Sequence, residues 1–273
     1  MPLSTLSLCR RRILAAALVA SCPLALHAQD VTETRKDVKP ATFVSADYSY
    51  QSFNGDIDAW QLADISIGRR TTAGSIIARV NYANRFASGG GQLEVDAYPR
   101  LTKDMYAYLN VGYSGSSIFP EWRSGAELFA SLPGAWEASA GYRQLRFNGS
   151  PVTLLTGAVG KYVGDYWFSL RPFVRPKDNG TSASASLTAR RYFEDGDHYV
   201  GARVGFGSSP TDVVTPDSLT LSRTQAFSAA LQGSGDITKG VLGIWTLGYD
   251  SEELDSGRKR NSWTAAIGLK VTF

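Results

Sequence analysis

Ser262-Trp263-Thr264-Ala265-Ala266-Ile267-Gly268-Leu269-Lys270-Val271-Thr272-Phe273 closes the chain. Trp263, Ala265, Ile267, Leu269, Val271 and Phe273 alternate with Ser262, Thr264, Gly268, Lys270 and Thr272. Side chains alternate across an extended strand, so the stretch has one apolar and one polar face. At the edge of a soluble sheet, an apolar strand of this kind would invite aggregation. In a bilayer the same face is solvated by lipid, and about ten residues are what a tilted strand needs to cross.

The pattern recurs upstream. Val44, Ala46, Tyr48 and Tyr50 oppose Ser45, Asp47, Ser49 and Gln51, and Ile76, Ala78, Val80 and Tyr82 oppose Arg79, Asn81 and Arg85. Leu93, Val95 and Ala97 oppose Gln92, Glu94 and Asp96, while Ala183, Ala185, Leu187 and Ala189 oppose Ser182, Ser184, Ser186, Thr188 and Arg190. From Ala41 to Phe273 about fourteen such segments can be counted, with twelve or sixteen as the neighbouring even numbers. The segments over 152–163 and 224–232 alternate less cleanly. Short connections at Thr71 to Gly74, Pro133 to Ala135, Gly164-Asp165 and Glu194 to Asp197 alternate with longer ones at Gly115 to Glu121, Ser209 to Ser222 and Asp250 to Arg260. A barrel with both termini in the periplasm has this asymmetry, the longer connections lying outside. Trp60, Trp122, Trp136, Trp167 and Trp263, five of the six tryptophans, fall at segment ends, as an aromatic girdle requires.

Alternation alone does not say which face points outward. A closed sheet of about fourteen strands encloses more volume than side chains such as Val95 or Ala97 could fill, so an apolar interior would leave a void. The polar face therefore points into the lumen and the apolar face to lipid. The reading is all-β: a transmembrane antiparallel up-and-down barrel over 41–273 in a Gram-negative outer membrane. Its terminal strand looks like the signal by which the barrel-assembly machinery recognises its clients, carried by Trp263, Ile267, Leu269, Val271 and Phe273.

The other end reads as export. Arg10, Arg11 and Arg12 precede an apolar stretch from Ile13 to Leu26 that is too short to span comfortably, and Leu26-His27-Ala28 offers a cleavage site after Ala28. Val19-Ala20-Ser21 before Cys22 offers a lipoprotein site instead, although Pro23 sits awkwardly after that cysteine. Residues 1–28 are thus expected to be a signal peptide, and 29–40, polar and mixed in charge, a short periplasmic lead-in. Cleavage after Ala28 removes both cysteines, Cys9 and Cys22, and takes the 28 basic residues down to 25 against 25 acidic ones. A near-neutral mature chain without thiols gives no argument for nucleic-acid binding, disulfides or thiolate metal sites.

Particular stretches look familiar. Gly91-Gln-Leu-Glu-Val-Asp-Ala-Tyr-Pro-Arg-Leu101, Phe119-Pro-Glu-Trp-Arg-Ser-Gly-Ala-Glu-Leu-Phe129, Leu170-Arg-Pro-Phe173, Leu187-Thr-Ala-Arg-Arg-Tyr-Phe193 and Gly205-Phe-Gly-Ser-Ser-Pro210 resemble the YaiO family of outer-membrane barrels. These are strand and turn sequences without a catalytic signature. The resemblance implies the barrel fold over roughly Ala41 to Phe273. Some relatives are associated with polysaccharide systems, which implies a glycan as one class of solute.

Barrel enzymes of the Ser-His and Asp-His types need a histidine as general base. Of the two here, His27 leaves with the signal and His198 lies in Glu194-Asp-Gly-Asp-His198, expected to be a periplasmic turn away from any outer-leaflet substrate. Phosphate-loop, zinc and dinucleotide motifs are absent, Gly89-Gly90-Gly91 reads as hairpin, and no cofactor or metal is expected.

The chemistry that remains is in the lumen. Arg79, Arg85, Arg123, Arg143, Arg171, Arg175, Arg190 and Arg203 are expected to face inward with Asp47, Glu94, Asp96, Glu127 and Glu137, since a midplane Arg or Lys toward lipid costs about 2–4 kcal/mol. On one reading these side chains form a structural ladder. Arg79 and Arg85 would pair with Glu94 and Asp96, and Arg143 with Glu127 or Glu137. On the other, Lys161, Arg171, Arg175, Arg190 and Arg203 have few acidic partners and form a basic wall that attracts anions. The functional expectation is a non-enzymatic channel or export component for a polar, anionic or glycan solute. A barrel enzyme acting on envelope lipid or glycan and a structural or surface-interaction barrel with a blocked lumen are the alternatives.

Overall fold

The computed structural model describes residues 40–55, 57–85, 88–176, 181–193, 195–215, 218–253 and 259–273. The expected signal peptide and nearly all of the lead-in lie outside these residues.

Fourteen strands follow one another: β1 (Ala41–Phe53), β2 (Trp60–Thr71), β3 (Gly74–Arg85), β4 (Ser88–Pro99), β5 (Met105–Tyr113), β6 (Trp122–Leu132) and β7 (Trp136–Phe147), then β8 (Ser150–Val163), β9 (Tyr166–Arg175), β10 (Ser182–Phe193), β11 (Asp195–Thr215), β12 (Ser218–Thr238), β13 (Val241–Glu253) and β14 (Lys259–Thr272). Each pairs antiparallel with its neighbours in sequence, and β1 closes on β14 from Phe43↔Thr272 to Phe53↔Ser262. Closure removes the sheet edges that a bilayer does not tolerate.

Alternation sets the two faces. Ile65, Ile67, Ile76, Val80, Leu93, Val111, Leu187, Leu231 and Ile267 are exposed on the outer surface, where lipid solvates them. Their neighbours Ser66, Arg79, Gln92, Glu94, Asn110, Thr188 and Gln232 are buried on the inner one. Inside, near the ends of the strands that adjoin the short turns, Phe43, Ile77, Tyr98, Tyr108 and Phe129 form an apolar cluster with Tyr106 packed against it. Gly68 faces inward beneath Phe43, and a β-carbon there would run into the Phe43 ring. Asn148 and Gly149 join β7 to β8 with φ of 45° and 81°, the two positive values that a type I′ hairpin needs.

Three expectations are corrected. The stretch from Ser209 to Ser222, read as a loop, continues the β11–β12 ladder from Ser208↔Gln225 to Thr215↔Ser218, beyond where β10 and β13 stop pairing. Its run of Thr, Val and Leu favours extended backbone. His198 belongs to β11, which begins at Asp195 after a register shift at Tyr192 and Phe193, so the turn is shorter than expected. Trp60 and Trp167 point into the lumen and are buried, whereas Trp122, Trp136, Trp245 and Trp263 face outward, making a girdle of a different membership.

Candidate functional site

The inward face of β2 to β6 is built around Arg79. Its guanidinium lies 3.5 Å from Asp64, 3.5 Å from Glu94 and 3.3 Å from Asp96. Asp96 also accepts hydrogen bonds from Tyr108 Oη at 3.1 Å and Asn110 Nδ2 at 2.6 Å. Glu94 accepts from Arg123 Nη1 at 2.6 Å, and Arg123 Nε donates to Asn110 Oδ1 at 3.1 Å. Asp47 extends this acidic side onto β1, opposite Asp64 on one neighbour and Gly268 on the other. Charges so deeply buried persist only when paired and hydrogen-bonded.

Glu127 on β6 is a second node, held from three directions. Ser139 Oγ donates to it at 2.6 Å, Arg143 Nη2 at 3.2 Å and Arg171 Nη1 at 2.6 Å. Gly141 is its cross-strand partner, and a β-carbon there would collide with the Ala126 carbonyl and the Glu127 backbone. In these pairs the cation meets water and the anion does not. Arg143 and Arg171 side chains are 25% and 20% exposed against 1% for Glu127, and Arg123 is 15% exposed against 1% for Glu94.

The remaining expected residues are distributed along the lumen. Arg85 stands six positions beyond Arg79 on β3, where it donates to the Ile118 carbonyl at 3.3 Å and lies 5.1 Å from the Phe119 ring and 5.9 Å from Trp60. The ladder to Glu94 and Asp96 is therefore Arg79's, and Arg85 is stacked near the other end of the barrel. Glu137 and Arg175 are buried at inward positions of β7 and β9. Arg190 lies 4.3 Å from the Tyr199 ring and 5.7 Å from Trp167, and the Gln232 amide oxygen, oriented by this network, accepts from its Nε and Nη2 at 2.9 Å. Arg203 sits inward on β11, opposite Thr188 and Ala230 and in electrostatic reach of Asp250.

Two members of the expected basic wall change place. Arg171 is bound to Glu127, reaching back past β7 and β8. Lys161 is on the outer face: β8 buries Val152, Thr156, Ala158 and Gly160 inward, and Lys161 alternates with them beside Val159 and Val163. Its Nζ lies 4.7 Å from the Trp136 ring and donates to the Gly134 carbonyl. Further inward groups are Asp64, the Arg260–Glu252 pair and Asp250, and Lys270 faces inward as the alternation of β14 predicts, 3.2 Å from Asp197. Arg260 and Glu252 fall in the stretch that the sequence pattern assigns to a longer connection, yet β13 continues to Glu253 and β14 begins at Lys259. On β14, Trp263, Ile267 and Leu269 are exposed outward with Val271 on the same face, and Phe273, just past the strand, is exposed as well.

Residues 41–212 match the family model of the YaiO membrane beta barrel domain. The chain belongs to the YaiO family. No curated protein matches it. Among solved structures, an outer membrane channel from Pseudomonas putida F1 superposes with a TM-score of 0.53 at 12% identity, covering 89% of this chain and 98% of that one. OpdQ of Pseudomonas aeruginosa (TM-score 0.48, 10% identity, 89% and 99% coverage) and an anion-selective porin from Comamonas acidovorans (0.46, 11%, 86% and 99%) are also similar. At such identities the likeness is one of fold. This YaiO barrel is a Gram-negative outer-membrane protein, its apolar face solvated by membrane lipid.

His198 Nε2 is 3.3 Å from Asp236 Oδ1 near the start of β11 and the finish of β12, and both side chains are reached by solvent. An exposed pair of this kind contributes about 0–1 kcal/mol. His198→Ala should leave the amount of heat-modifiable folded protein and its conductance unchanged; loss of function at normal abundance would point to histidine chemistry instead.

Proposed function

We propose that this YaiO barrel is a non-enzymatic outer-membrane channel whose lumen favours anions, passing a small polar or anionic solute, acidic glycans included. The observation that carries the reading is the asymmetry of the inner ion pairs, in which water touches Arg123, Arg143 and Arg171 while Glu94 and Glu127 are covered. A mobile ion therefore meets guanidinium groups first, and a buried carboxylate, already compensated, offsets little of that field.

The path would follow the wall from β10 to β13. There the inward positions are small and partly accessible, among them Ser184, Ser186, Ser228, Ala230 and Thr246, with Arg203 between them. The opposite wall is filled by the Arg79 network and the Phe43 to Phe129 cluster. We further propose export by a signal peptide over 1–28 and insertion by the barrel-assembly machinery.

Arg143→Gln with Arg203→Gln keeps polarity and removes two accessible charges. In planar bilayers the anion-to-cation permeability ratio should fall roughly twofold or more, and the wild-type preference should weaken as salt rises toward 1 M, where screening acts over about 3 Å. An unchanged ratio in a folded double variant would refute the assignment of the field to these arginines. The deep burial of the Arg79 network favours a second reading, a barrel whose lumen is blocked across its whole width, which predicts a folded protein without conductance.

A further inference from the structure

The outward position of Lys161 gives the lipid face a cation, and it has company. Trp136 pairs with Lys161, Lys161 with Phe168 and Phe168 with Ala189, one register line across β7, β8, β9 and β10 on the outer surface, and Val163, Tyr166 and Arg191 form the next outward line. Arg191 is exposed, its guanidinium 5.1 Å from the Phe193 ring and 5.8 Å from Tyr166. Tyr166 stacks on Phe168 at 6.3 Å with an interplanar angle of 12°. These residues lie near the turns over 133–135 and 164–165 and the β10 to β11 connection, at the end of the barrel that also holds both ends of the described chain.

Placing Lys or Arg toward lipid costs about 2–4 kcal/mol at the midplane and only about 0–1 kcal/mol at the interface, so these cations mark headgroup depth. Lys161 and Arg191 stand two strands apart, about 10 Å at ordinary sheet spacing, with Arg191 one outward step nearer the periplasm. Two long side chains can close that gap on one ligand. The other outward positions in this band, Ala138, Val159, Val163, Ala189 and Phe193, carry no negative charge; the carboxylates nearest to it in sequence are Glu137, which faces inward, Asp165 in the turn below, and Glu194 and Asp195 after Phe193. Aromatic rings flank both cations, and Lys161 Nζ, which spends one donor on the Gly134 carbonyl, has two more for a ligand.

We propose that this patch is a binding site for an anionic phospholipid of the periplasmic leaflet, Lys161 and Arg191 taking the headgroup phosphates and Trp136, Tyr166, Phe168 and Phe193 seating the glycerol and upper acyl region. A phosphodiester supplies oxygens that suit the Arg191 fork and the Lys161 ammonium, and the facing leaflet is the phospholipid one. Site and lumen lie on opposite faces of the sheet, so the proposal is independent of conduction.

Native mass spectrometry of the purified barrel in neutral detergent, with phosphatidylglycerol or phosphatidylcholine added, tests it. The wild type should retain phosphatidylglycerol preferentially, and Lys161→Gln with Arg191→Gln should lower that preference about 30-fold. Heat-modifiable migration verifies that the variant folds. Lys161→Arg should keep the preference, as should Arg146→Gln, which removes an outward cation from the other end of β7. Equal retention of the two lipids by wild type, undiminished preference in the double variant, an equal loss in Arg146→Gln, or stronger retention of lipopolysaccharide than of phosphatidylglycerol would each overturn the site.

Discussion

Glu127→Gln should destabilise the folded barrel by about 3 kcal/mol, the lower end of what breaking a buried ion pair costs, because both guanidinium groups keep some water. The carboxylate is the single acceptor that holds Ser139, Arg143 and Arg171 together, and its side chain is 1% exposed. A glutamine retains one acceptor oxygen, loses the charge, and turns a donor toward two cations that then repel. Urea unfolding of the barrel in lipid vesicles, followed by tryptophan fluorescence, gives the stability. The same variant carries a second expectation of opposite sign to that of the arginine variants. With its compensating charge gone, the lumen should become more anion-selective, not less. An unchanged urea midpoint would mean that Glu127 does not organise this wall.

Deleting Phe273 should remove most of the protein from the outer-membrane fraction. Phe273 N donates to the Thr42 carbonyl at 2.8 Å and Thr42 N donates to the Phe273 carbonyl at 3.3 Å, the last rung of the seam between β1 and β14. Its ring is exposed. The barrel has no edge only once this seam is made, and until then β14 is the strand presented for insertion. Phe273→Tyr keeps the aromatic terminus and should restore assembly. Normal levels of the heat-modifiable band from the deletion would end the assignment of Trp263, Ile267, Leu269, Val271 and Phe273 as an assembly signal.

The fold was legible wherever inward and outward residues differ in chemistry. Ile76 to Arg85 and Gly91 to Pro99 alternate so cleanly that face and register follow from the pleat. The outward position of Lys161 is not legible in the sequence, because β8 turns Val152, Leu154 and Ala158 inward and Thr153 and Gly157 outward, so polarity does not reveal its parity. Trp60 and Trp167 sit at strand ends like girdle residues, yet a one-residue difference in parity turns an indole from lipid to lumen. The pair of Arg79 with Glu94 is a direct cross-strand neighbour and could be read from the hairpin. That of Arg171 with Glu127 could not, since it skips two strands and depends on barrel curvature and on the gap at Gly141. Arg260 and Glu252 were hidden by charge density, which resembles a loop until the two residues are seen to face each other across β13 and β14.

The reversal potential of the purified wild-type barrel in a planar bilayer under a potassium chloride gradient tests the central claim most directly. Accessible Arg123, Arg143 and Arg171 above covered carboxylates, with half-buried Arg203 on β11, predict conduction with the sign of anion preference. Conduction with the sign of cation preference, or a folded barrel that does not conduct, would contradict it.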